Sequence, residues 1–176
     1  ITIPDGVKRI ENETFRYCDK LKSVTIPESV TYIDEFAFAY CYSLTNLVIP
    51  KKVEYIGYSA FADATSLKSL TISEGVKVIG PSAFSGCNIK SLSLPDSITK
   101  IESYAFGSCK KLKEITFPKK LVNISGNAFY DTAWLNEKLK KNTIVTVNDV
   151  LLYARKDVEK VTIPKSVKYI AEYAFD

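Results

Sequence analysis

The residues of this 176-residue chain that could do chemistry are four cysteines, two closely spaced carboxylate pairs and a recurrent set of hydroxyls. Thiolates are nucleophiles and metal ligands. Histidine is absent, which removes Cys-His and Ser-His pairs and every histidine-ligated metal site. Glu11 with Glu13, and Asp34 with Glu35, have the spacing of a general acid–base pair. No Gly-rich phosphate loop, Gly-x-Ser-x-Gly elbow or calcium-binding nonapeptide occurs. The 24 basic and 20 acidic residues leave a net charge of only +4, and the lysines are scattered among acids without interleaved aromatics. That pattern argues against nucleic-acid binding. With 46% hydrophobic and 25% charged residues the chain can bury a core, and no uncharged run approaches the roughly 18 residues of a membrane span.

The elements that position these residues come from an internal repeat, which governs the fold wherever it exists. A motif position recurs at Pro4, Pro27, Pro50, Ser73, Pro95, Pro118 and Pro164, in steps of 23, 23, 23, 22, 23 and 46 residues. Six residues later stand Ile10, Ile33, Ile56, Ile79, Ile101, Ile124 and Ile170; eleven later stand Phe15, Phe38, Phe61, Phe84, Phe106, Phe129 and Phe175. The carboxylate pairs fail on the same alignment. Their columns hold Gly57, Gly80, Ser59 and Ser82 in other copies, so nothing repeats that would build a catalytic site.

Each motif position is preceded by Leu-x-x-Val-x-Ile, as in Leu21, Val24 and Ile26 before Pro27. Apolar residues alternate there, as in a half-buried strand. Proline lacks an N–H and ends it. Equivalent strands 23 residues apart pair in parallel, because each needs a long return path. That path is too short for a long helix, so extended chain and one or two helical turns are expected. A coil alone cannot bury its Ile and Phe; stacked coils bury them on one another.

Leu-x-x-Val-x-Ile-Pro with Ile, Ala-Phe and Cys at fixed offsets resembles the BspA-like leucine-rich repeats of bacterial and protist surface proteins. The resemblance covers the chain except about residues 136–157. It implies an α/β, right-handed leucine-rich-repeat solenoid with a short-stranded parallel sheet and about 23 residues per coil. It also implies a secreted or surface-anchored, non-enzymatic protein without cofactor. Several members are described as adhesins, which implies a protein partner such as a host extracellular-matrix protein. Residues 1–135 form about six coils, 136–157 an irregular insertion, and 158–176 the resumed repeat. Both ends fall inside the motif, so the chain reads as part of a longer array.

Cys18, Cys41, Cys87 and Cys109 share one column with Ala64 and Thr132, a tight buried position. Free buried thiols are the favoured reading, because stacked copies aim their Cβ atoms the same way. Bridges between neighbouring coils stay open, and a metal site is disfavoured because the four ligands are spread over five coils. In the insertion, Thr132–Lys140 has helical composition with Trp134, Leu135 and Leu139 on one face. The runs 143–147 and 150–153 read as a hairpin around Asn148-Asp149. It is a degenerate coil that closes the core, a ligand or oligomer platform, or a spacer that alters curvature.

Two outward strand columns form a hydroxyl-rich strip, expected on the concave face. One holds Thr25, Val48, Thr71, Ser93 and Thr116, with Thr2 and Thr162 towards the ends; the other holds Ser23, Asn46, Ser69, Ser91, Glu114 and Lys160. Exposed strands favour threonine whatever their function, so the strip is either ordinary surface or a binding face. Tyr32 and Tyr55, with Tyr169, share a column and offer a second candidate edge. A protein-binding ectodomain, a spacer displaying another domain, and an accessory region of an enzyme remain as functions.

Overall fold

A computed structural model describes residues 1–176. In chain order it contains β1 (Arg9–Ile10), β2 (Tyr32–Ile33), β3 (Asn46–Ile49), β4 (Tyr55–Ile56), β5 (Ser69–Ile72), β6 (Val78–Ile79), β7 (Ser91–Ser93) and β8 (Lys100–Ile101). There follow β9 (Glu114–Thr116), β10 (Asn123–Ile124), α1 (Ala133–Lys141), β11 (Ile144–Val147), β12 (Val150–Ala154) and β13 (Tyr169–Ile170). The chain winds as a parallel β-solenoid of about seven turns, near 23 residues each.

The unbroken sheet is not built from the Leu-x-x-Val-x-Ile runs. It runs β1-β2-β4-β6-β8-β10, all parallel, on the two-residue strands that end in the Ile column. The Leu-x-x-Val-x-Ile segments pair only as β3-β5 and β7-β9, with single bridges Thr2–Thr25 and Ser23–Asn46 at the start. Between β5 and β7 the ladder is broken. The 22-residue step falls there, where Cys87-Asn88-Ile89 replaces the longer Cys41-Tyr42-Ser43-Leu44. The shortened loop enters β7 almost directly, yet Ile89, Leu92 and Leu94 still point into the core.

The return path contains no α-helix; the one helix is α1 in the insertion. Instead the first five coils turn through left-handed residues nine and thirteen positions after the motif position, such as Glu13 and Tyr17, Phe36 and Tyr40, or Ser59 and Asp63, and coil six through Asp131 alone. Such backbone costs about 1–3 kcal/mol per non-glycine residue. Hydrogen bonds to the next coil offset it. Phe36 N donates to Tyr58 O at 2.9 Å, Phe38 N to Ala60 O at 2.7 Å and Tyr40 N to Ala62 O at 2.8 Å, and the same triplet recurs in neighbouring coils. Gly75 is required where it stands: its φ is +124° and a Cβ would lie 1.8 Å from Lys51 O.

The Phe column is the axis of the core. Phe15, Phe38, Phe61, Phe84, Phe106 and Phe129 stack at 4.9, 5.1, 5.3, 5.4 and 5.4 Å between ring centroids, with planes within 12° of parallel. Phe38 to Phe129 are fully buried. The expected seventh ring does not join: Phe175 is 51% exposed, because Trp134 and Phe117 close over Phe129 instead.

The insertion is a helix followed by a hairpin. Thr132 caps α1, its hydroxyl accepting from Leu135 N at 3.1 Å. Trp134 and Leu135 are buried and Leu139 packs beside them. The antiparallel hairpin β11-β12 then lends β12 to the resumed repeat, with Leu151 opposite Ile170. Asn148, at the hairpin tip, donates to Pro118 O at 3.0 Å and Leu121 O at 2.9 Å. Coil six meets the resumed repeat at Gly126, whose N donates to Glu172 O at 2.7 Å. A Cβ there would lie 2.7 Å from both Glu172 O and Leu152 O.

Candidate partner-binding surface

Strand alternation places the hydroxyl strip. In β3, Leu47 and Ile49 are buried while Asn46 and Val48 are exposed. Ser23, Thr25, Ser69, Thr71, Ser91, Ser93, Glu114 and Thr116 are exposed in the same way. Register aligns Asn46 with Ser69, Val48 with Thr71, Ser91 with Glu114 and Ser93 with Thr116. The strip is not uniform. Where β5 and β7 fail to pair, Leu70, Thr71, Ile72, Glu74, Ser93 and Pro95 line a shallow cleft of about 320 Å³. Repeat-column reasoning gave a featureless strip and missed this cleft. Its signal was the one shortened step.

Tyr32 and Tyr55 stand on the six-stranded sheet, apart from the strip, and stack at 5.0 Å. The Arg9 guanidinium lies 4.8 Å over the Tyr32 ring and holds Asp34 through two bonds of 2.6 and 2.8 Å. Asp34 and Glu35 therefore do not act as a pair, and Glu13 is taken by Arg16 at 2.7 Å. Burial pushes the Tyr55 hydroxyl pKa up, helped by the charge of Glu102. A second aromatic ridge was not read from the sequence, although Tyr17 and Tyr40 share a column: they stack at 4.6 Å, with Arg16 packed over Tyr17, Phe36 and Tyr40. A third feature, an open cleft of about 570 Å³, lies between β10 and β13 and is lined by Glu102, Val122, Tyr169 and Glu172 among others.

All four cysteines are free, with Cys41, Cys87 and Cys109 buried and Cys18 partly so. Each buried thiol donates back to the Phe carbonyl of a preceding coil: Cys41 to Phe15 O at 3.2 Å, Cys87 to Phe61 O at 3.3 Å and Cys109 to Phe84 O at 3.1 Å. Burial pushes the Cys41 and Cys109 thiols up to about 12, and Cys87 well above its ordinary value. They are structural hydrogen-bond donors in a buried column, where the thiolate is disfavoured.

Six copies of the BspA type leucine-rich repeat region match the chain, over residues 1–106 and 78–176. The chain belongs to the BspA-type leucine-rich repeat family. Comparison with curated proteins gave no match. Among solved structures, a leucine-rich repeat protein from Bacteroides ovatus superposes with a TM-score of 0.75 at 25% identity, over 99% of this chain and 48% of that one. A leucine-rich cell surface protein from Faecalibacterium prausnitzii gives 0.63 at 25% identity, over 98% of this chain and 43% of the other. The pneumococcal vaccine antigen PcpA gives 0.62 at 25% identity, over 100% and 42%. This BspA-type chain thus spans less than half the length of those three proteins.

Proposed function

We propose that this BspA-type solenoid is a non-enzymatic, surface-exposed module that binds a protein partner through the hydroxyl strip, and that the partner is a host extracellular-matrix protein. The observation that carries the reading is the cleft between β5 and β7. It gives an otherwise regular strip a defined recess, with the Thr71 and Ser93 side chains at its wall and the Glu74 carboxylate beside it. The flanking strands are held by the ladder and the Phe stack, so docking would cost little ordering entropy. A surface location is supported by two structural neighbours, one a cell surface protein and the other a vaccine antigen. Many small polar contacts imply modest affinity spread over several coils. Tyr32 and Tyr55 form the secondary candidate edge.

Thr71→Lys with Thr116→Lys tests the strip, adding bulk and charge while leaving the inward columns untouched. Binding to immobilised fibronectin and other matrix proteins is expected to weaken at least tenfold. Affinity within twofold of the parent would remove the strip as the binding face. The unbroken Phe stack would equally suit a rigid spacer that displays another domain. Absence of binding to any matrix protein would favour that role.

A further inference from the structure

The net charge of +4 hides a separation that only the folded chain reveals. The loops between the Cys column and the strands stack on one edge: Thr45 N donates to Lys22 O at 3.2 Å, Lys68 N to Thr45 O at 3.0 Å and Lys113 N to Lys90 O at 2.9 Å. Those loops, residues 19–22, 42–45, 65–68, 88–90 and 110–113, carry seven lysines and a single acid, Asp19. The edge therefore holds +6, and the rest of the molecule, with 17 basic and 19 acidic residues, holds −2. Helix α1 extends the edge, since Trp134 N donates to Leu112 O at 2.7 Å, and it adds three lysines against Glu137.

Lys22, Lys68, Lys90 and Lys113 occupy one repeat column, are exposed, and make no ion pair. On this edge Lys110 alone reaches a carboxylate, that of Asp131 at 3.6 Å, until α1 pairs Lys140 with Glu137. Strand spacing of about 4.8 Å puts Lys22 and Lys113 about 19 Å apart along the stack. Self-repulsion among the cations of this column, none of which forms an ion pair, makes this edge a template for an extended polyanion.

We propose that this lysine edge binds an anionic polysaccharide lying along the solenoid axis. Two features favour a sugar chain over nucleic acid. Ser69 and Ser91, exposed at the starts of β5 and β7, directly follow Lys68 and Lys90 and bring hydroxyls able to bond sugar hydroxyls. The loops of this edge carry one aromatic side chain, Tyr42, instead of the row of rings on which single-stranded bases stack.

The test titrates the full chain with a heparin octasaccharide at 50 and 150 mM salt. Binding is expected at 50 mM and should weaken steeply at 150 mM as counterion release is lost. Lys68→Glu with Lys90→Glu and Lys113→Glu should lose at least tenfold. Lys51→Glu with Lys119→Glu and Lys120→Glu, an equal charge change on the proline turns, should stay within threefold. Equal losses in both triples, no octasaccharide binding at 50 mM, or tighter binding of single-stranded DNA of matched charge would each overturn the proposal. The Thr71→Lys, Thr116→Lys variant separates this edge from the protein-binding strip: it should keep or strengthen octasaccharide binding while losing the protein partner.

Discussion

Replacing Phe84 by alanine removes a ring that is fully buried and stacked on both faces, 5.3 Å from Phe61 and 5.4 Å from Phe106. A phenylalanine that buries about 150–250 Å² contributes about 4–6 kcal/mol at about 25 cal/mol per Å². Partial burial in the unfolded chain lowers this, and measured Phe→Ala losses run about 3–5 kcal/mol. Collapse of the cavity is opposed here because the coils above and below are pinned by three turn hydrogen bonds each. The loss should therefore sit in the upper part of that range. Urea unfolding followed by circular dichroism measures it, with Phe15→Ala and Phe175→Ala as internal controls. Phe15 stacks on one face only and should lose less. Phe175, 51% exposed, should lose about 1 kcal/mol or less. A repeat array can also lose cooperativity when a central coil weakens, which would appear as a smaller m. An unchanged m with a loss under 1 kcal/mol for Phe84→Ala would refute the buried spine.

The cysteines should resist a thiol reagent in the native protein, except slow reaction at Cys18, and give four thiols in denaturant without reductant; two or none would reveal bridges. Because folding raises the thiol pKa from its ordinary 9.0 to about 12 at Cys41 and Cys109, the stability tied to these groups is complete below pH 9 and is lost as pH rises towards 12. Cys41→Ala with Cys109→Ala should flatten that alkaline decline in melts across pH 8–11, and an unchanged slope would remove the thiols as its cause. Gly126→Ala forces a Cβ against the Glu172 and Leu152 carbonyls and should cost about 1–3 kcal/mol in the same urea assay; a neutral result would mean that the resumed repeat is not seated on coil six as described.

The core was legible because burial permits so little variation: an Ile and a Phe recurring at one period can only face inward and stack. The outward strip was legible for the complementary reason, since strand alternation leaves no other place for Thr71 or Ser93. The Leu-x-x-Val-x-Ile segments do pair in parallel, as β3-β5 and β7-β9, but the continuous ladder lies elsewhere in the coil. Leu-x-x-Val-x-Ile has the stronger strand pattern, yet the unbroken ladder runs through dipeptides such as Tyr32-Ile33. Pairing depends on how evenly consecutive coils approach each other, and the loop shortened at Asn88 enters β7 before the path has recovered its spacing. By Lys100 it has recovered, and β6 pairs β8 in register. The end of the Phe column was likewise hidden, because Trp134 caps Phe129 through a helix whose docking point, Leu112, is remote in sequence. The lysine edge escaped notice because its members lie some 22 residues apart and are diluted in the chain by acids from other faces.

The hydrogen bonds of the turns all run in one sense. Glu13, Phe15 and Tyr17 donate forward to the second coil, and Phe36, Phe38 and Tyr40 forward to the third. The N–H groups on that side of the solenoid point towards the C-terminal coils and the carbonyls towards the N-terminal ones. Aligned peptide dipoles add head to tail, as they do in an α-helix, but here the positive pole lies at the C-terminal side and the column is three bonds wide. Each further coil lengthens it. On the other faces Thr31 N donates back to Lys8 O, Asp34 N to Ile10 O and Thr45 N to Lys22 O, so the dipole column of the turns is opposed by columns running the other way across each coil.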